Sequence, residues 1–166
     1  MDVFFFFLFA FLAVICAINV VVQSHPISSA LSLIGVMGSL AILYLLLGAE
    51  FIAMAQIIVY AGAVMVLFVF VIMLLNAGAE AKRGTSLTAQ ALGIPLIVAF
   101  LGLIAYFVER LFPNSPHVIF GSTNFGSAQA IGRSLFTQYL LPFEVTSILV
   151  LIGIVGAIVL ARKELD

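Results

Sequence analysis

The stretch "EFIAMAQIIVYAGAVMVLFVFVIMLLN", Glu50 to Asn76, decides the fold. A bilayer core of about 30 Å takes roughly 20 apolar residues of helix, and this run is long and apolar enough to cross it. Yet it opens on a carboxylate and carries Gln56, Tyr60 and Gly62 in its first half. Polar groups are costly in lipid, so they belong against protein or a hydrated cavity and mark a candidate site.

Working outward, the same apolar character fills most of the chain. Of 166 residues, 65% are hydrophobic and 8% charged, and the mean hydropathy is +1.37. Soluble domains carry about a quarter charged residues, so this is an integral membrane protein. Cutting the chain at its polar and Pro/Gly clusters leaves five apolar runs, near 3–22, 27–47, 51–75, 89–107 and 139–161. Backbone groups in lipid must be satisfied internally, and barrel strands are only about 10 residues long. The expectation is a single all-α membrane domain over 1–166, a bundle of five transmembrane helices.

Five crossings put the termini on opposite sides. Lys82, Arg83, Arg162 and Lys163 gather on one side, Arg110 and Arg133 on the other. The positive-inside rule then places the C-terminus in the cytoplasm and the N-terminus outside. The first run lacks a basic flank and exceeds a signal-peptide core of about 7–15 residues, so it reads as a retained helix. The stretch from Pro113 to Arg133 reads as a loop lying over neighbouring protein or as a surface excursion. Pro142 and Glu144 read as the start of the last helix, a carboxylate at the positive end of its dipole, with proton transfer as the alternative.

Much chemistry is excluded. A formal net charge of -1 with six Lys plus Arg leaves no surface for nucleic acid. Cys16 stands alone in an apolar run, which forbids an intrachain disulfide or a thiolate metal site. His25 and His117 fall beside prolines in loops, so no helix offers facing histidines for a haem. No Gly-rich phosphate loop and no Ser/His/Asp set is present to do chemistry. The chain therefore carries no catalytic residue, metal or cofactor of its own.

On a wheel of about 100° per residue, Gln56 and Tyr60 fall together and Glu50 lies within a quarter turn of Tyr60, making a polar edge on the third helix. Glu50 has a simpler reading as a dipole partner in the first turn. Within "YAGAVMV", Ala61, Gly62 and Ala63 allow close backbone approach, the common device for tight helix packing. The sharper alternative is a π-bulge, an extra residue held at a functional site, whose insertion or removal would swing Met65, Phe68 and Phe70 by about 100°. On the residues alone, packing is the simpler of the two.

"QIIVYAGAVMVLFVFVIMLLN", preceded by "LGAEF", resembles the third-helix signature of subunit J of the bacterial proton-translocating NADH:quinone oxidoreductase, respiratory complex I, the counterpart of mitochondrial NADH dehydrogenase subunit 6. "HPISSALSL" and "QYLLPFEVTSILVLIGIVGAIVLARK" look like the same family. The resemblance implies a five-helix, cofactor-free subunit in the membrane arm of a bacterial inner membrane. Its neighbours would be subunits of the A, H, K and N types, and the complex would use FMN, iron–sulfur clusters, NADH and a quinone. It also implies a switchable π-bulge in the third helix that opens and closes a water path, with a gate at Tyr60, Gly62, Ala63, Val64, Met65, Val66 and Phe68. Some relatives carry Glu where this chain has Gln56, and an amide cannot exchange a proton near neutral pH. Glu50 is then the nearest titratable group on that helix. A purely structural scaffold, the equivalent subunit of a ferredoxin-dependent complex, and an autonomous transporter are the competing readings.

Overall fold

The computed structural model describes residues 2–75, 87–113 and 126–161, and within these the chain is six helical rods with no strand. Asn76, Lys82, Arg83, His117, Arg162 and Lys163 lie outside the described residues, as do 77–86 and 114–125 of the connecting segments. Helix α1 spans Asp2–Val22 and α2 spans Pro26–Leu46. The third rod, Glu50–Leu74, consists of α3 (Glu50–Ala55), a π-helical segment (Gln56–Val64) and α4 (Met65–Leu74). Helix α5 spans Leu87–Leu111 with Pro95 inside it, α6 spans Ala128–Thr137 and α7 spans Leu140–Ala161. Four of these rods, α1, α2, the third rod and α7, are long and apolar enough to cross a membrane.

The helix limits follow from local chemistry. His25 is extended, as the residue before a proline prefers, and Pro26 takes the first helical position where its missing N–H costs nothing. Gly48 ends α2 in the left-handed region, φ 78°. The Gly48 N–H donates to the Leu45 carbonyl at 3.0 Å and the Ala49 N–H to the Tyr44 carbonyl at 2.9 Å. This Schellman closure turns the chain back within three residues, so the third rod runs antiparallel to α2.

Helix α2 is the hub. One side of it packs on α1 and another on the whole third rod, while α6 bridges α3 and α7. Ala13, Ala30, Ser39 and Ala41 are buried along these seams. A Cβ added to Gly35 would lie 3.1 Å from the Cys16 sulfur, so the α1–α2 axes approach closely through a position without a side chain. Near the connecting turn, the Asn19 amide donates to the Ser32 hydroxyl at 2.6 Å and the Ser29 hydroxyl to the Val20 carbonyl at 2.7 Å. Polar residues thus tie the two helices together near their connection.

Two expectations need correction. Residues 128–133, read as loop, are the first turns of α6, capped by Ser127, whose hydroxyl accepts from the Ala130 N–H at 3.3 Å. Short amphipathic helices of this kind hide in Gly/Ser-rich sequence because they present no long apolar run. In α7 the helix begins at Leu140, two residues before Pro142, so Glu144 stands beyond the first turn. Its contribution to the dipole is correspondingly weaker, since that interaction fades within one turn.

Candidate functional site

The third rod begins in ordinary α winding with Glu50 exposed in its first turn and Ala53 buried. At Gln56 the hydrogen bonding changes to the i→i+5 pattern of a π-helix, which runs for nine residues before α winding resumes at Met65. The Met65 N–H donates to the Tyr60 carbonyl, five residues back. Backbone angles at both ends, φ -59° and ψ -43° at Gln56, φ -69° and ψ -38° at Met65, are those of any right-handed helix. The wide winding therefore needs no strained residue at its borders.

Its consequence can be read in the side chains. Helix α2 is the only described element packed on the π segment and on α4. The less exposed residues of the rod are Ala53, Ala55, Gln56, Ala61, Met65, Val69 and Ile72, and from Gln56 onward they are spaced by five, four, four and three. A regular α-helix would bury residues at steps of three and four only. The single step of five lies inside the π segment, and it displaces Tyr60 from the stripe in favour of Ala61.

The polar edge expected from an α wheel is accordingly divided. Gln56 faces inward, 7% exposed, and its side-chain amide donates to the Met37 sulfur of α2 at 3.0 Å. Tyr60 is 51% exposed and turned outward. Of the residues implied as a gate, Met65 is buried against α2, while Tyr60, Gly62, Ala63, Val64, Val66 and Phe68 are all exposed. A Cβ on Gly62 would lie 3.2 Å from the Ile57 carbonyl, a close contact made with the backbone of the π segment itself. Met37 and Gly48, absent from the sequence reading, also belong to this site: one receives the Gln56 amide and the other aims the rod. A glycine right after an apolar run was a legible signal for Gly48; nothing in the sequence singled out Met37.

The described residues contain no group of three or more His, Cys, Asp or Glu able to hold a metal ion. The winding of the rod sets which side chains meet α2, and its remaining side chains are exposed and mostly apolar. These features define a class: a multi-pass helical membrane protein with one irregularly wound span. The family profile of NADH-ubiquinone/plastoquinone oxidoreductase chain 6 matches residues 16–160. The chain is 40% identical over 162 residues to NAD(P)H-quinone oxidoreductase subunit 6 of the Paulinella chromatophora chromatophore, covering 96% of this chain and 78% of that one. It is 37% identical over 167 residues to NAD(P)H-quinone oxidoreductase chain 6 of Synechocystis, covering 96% and 80%, and 41% identical over 156 residues to that of Leptolyngbya boryana, covering 89% and 73%. The chain belongs to the NADH-ubiquinone/plastoquinone oxidoreductase chain 6 family.

Proposed function

We propose that this chain is a membrane-arm subunit of a proton-pumping NAD(P)H-quinone oxidoreductase, and that it couples quinone reduction to proton translocation by changing the winding of Gln56–Val64. Family membership supports the subunit role. The observation that carries the coupling reading is the π segment, a wide winding inside an otherwise α-helical span with small residues at its centre. Restoring α winding removes one step from the stripe, so every residue after the segment rotates by about 100° relative to α2. Tyr60 then meets α2 where Ala61 now stands, and Phe68 and its neighbours sweep across the outer face. A chain of waters beside that face is thereby joined or cut.

Such a device is driven only if the two windings interact differently with the two conformations of the quinone site next door. Shifting it from about 1:99 to 99:1 takes roughly 5.5 kcal/mol of differential interaction. The rod itself carries little proton chemistry. Gln56 cannot titrate, Glu50 stands exposed at the boundary, and carboxylates beside the path come from other subunits, the A, H, K and N types, which surround this chain. FMN and iron–sulfur clusters belong to the input module of the complex. Helix α5 makes the fifth crossing, which leaves the N-terminus outside and the C-terminus in the cytoplasm of a bacterial plasma membrane.

The test is Gly62→Val. A β-branched side chain at a position already tight against the Ile57 carbonyl overpacks the present winding, at a cost of about 1–3 kcal/mol. Membranes carrying this variant are expected to lose quinone-coupled proton pumping severalfold while oxidation of NADH by an artificial acceptor persists. Unchanged pumping per assembled complex would leave the chain as a scaffold and defeat the coupling reading.

A further inference from the structure

Gly126 stands just before Ser127, the cap of α6, and its surroundings are unlike those of the other described glycines. A Cβ built on it would run into the Gly48 carbonyl oxygen and the Ala49 Cα, and would come within 3.0 Å of the Ala49 nitrogen. All three are backbone atoms, which cannot rotate aside as a flexible side chain would. The obstructed atoms belong to the Schellman turn that aims the third rod, held by the Gly48 and Ala49 amide bonds described above. Gly132, on the same short helix, has nothing within 4 Å of such a Cβ.

We propose that Gly126 is a positioning residue: it seats the start of α6 on the Gly48–Ala49 turn and holds the Glu50 end of the third rod while the winding of Gln56–Val64 changes. The holding role rests on the coupling reading above; the seat itself does not. The seat and the first turn of α6 are continuous, because Ser127 directly follows Gly126 and caps the helix through the Ala130 N–H. Helix α6 in turn touches α3, and it is the only described element in contact with α7. Phe136 of α6 meets Phe143 of α7 edge to face at 5.1 Å between ring centres, so the seat is braced by the last helix.

The two ends of the rod are held differently. Before the π segment, the rod is fixed by the seat, by buried Ala53 and by the Gln56–Met37 hydrogen bond. After it, only the apolar side chains Met65, Val69 and Ile72 face α2, and a rotation by one residue offers apolar Val64, Phe68 and Val71 in their place. Exchange of one apolar contact for another costs little, whereas turning the Glu50 end would break the Gln56–Met37 bond and strain the Gly48 and Ala49 hydrogen bonds that close α2. A winding change is therefore delivered to the α4 end, and Glu50 keeps its place.

The experiment uses the whole complex purified from membranes carrying Gly126→Ala, Gly132→Ala or Ser127→Ala, with amide hydrogen exchange over residues 47–53 and protons moved per quinone reduced as the two readouts. Gly126→Ala is expected to speed exchange over 47–53 by roughly tenfold and to lower the proton ratio, with Gly132→Ala at wild-type values in both. Ser127→Ala, which loosens the cap without filling the seat, shifts both in the same direction by less, and it carries the comparison if Gly126→Ala fails to assemble. Wild-type exchange over 47–53 in Gly126→Ala, or in Ser127→Ala where only that variant assembles, overturns the seat. Faster exchange with an unchanged proton ratio overturns the holding role when Gly62→Val lowers the ratio in the same membranes. If Gly62→Val leaves the ratio unchanged as well, the coupling reading fails and takes the holding role with it.

Discussion

The two seams of α2 are built on opposite principles. Against α1, it uses Gly35 under the Cys16 sulfur and two side-chain hydrogen bonds, Asn19 to Ser32 and Ser29 to the Val20 carbonyl. Against the third rod it makes one polar tie, Gln56 to Met37, followed by a stripe of apolar residues. Hydrogen bonds and close backbone approach specify a single register, because a shift leaves polar groups unpaired and side chains colliding. A run of interchangeable apolar contacts tolerates a shift. One helix thus presents a face tied by polar contacts and a face that is almost wholly apolar.

That contrast can be broken most severely at Gly35. A Gly35→Val change drives a branched side chain into the Cys16 thiol, and overpacking of this kind costs about 1–3 kcal/mol. The expected outcome is less assembled complex on a native gel with normal proton pumping per complex that remains. Loss of pumping at full assembly would show that the α1 seam also moves.

Gln56→Leu has a smaller effect, since membrane hydrogen bonds average about 0.6 kcal/mol and sulfur is a weak acceptor. It should lower the thermal midpoint of the complex only slightly, yet reduce the proton ratio measurably, because it frees the end of the rod that ought to stay put. A drop in stability without any change in that ratio would mean the tie is merely structural. Asn19→Ala should be the mildest of the three, about 0.6 kcal/mol of stability, visible in the thermal midpoint and silent in pumping. A coupled defect there would erase the distinction between the two seams.

The long rods were legible because an uninterrupted apolar run admits only one solution in lipid. "DVFFFFLFAFLAVICAINVVV" becomes α1 over Asp2–Val22, and the run after Pro26 becomes α2. Helix α6 was not legible, since ten residues with alternating small, polar and apolar side chains resemble a loop, and only its contacts with α3 and α7 set it apart. The α wheel puts Gln56 beside Tyr60, whereas Gln56 is buried and Tyr60 exposed. The wheel assumes α winding throughout, and the step of five at Ala61 turns Tyr60 away from Gln56's partner. Nothing in the sequence marks Gly126, because the turn it approaches, Gly48–Ala49, lies far away along the chain.

By itself the sequence determined that the chain is helical and lives in a membrane, through composition and the demand of lipid for internally paired backbone. It also determined where small residues soften the third span. Only the tertiary structure decided how that span is wound, because an apolar run does not fix its own hydrogen-bond pattern, and the wide winding leaves Ala61 rather than Tyr60 shielded after Gln56. The same holds for the seat of Gly126, where a missing side chain matters only because another piece of backbone occupies the space it would fill.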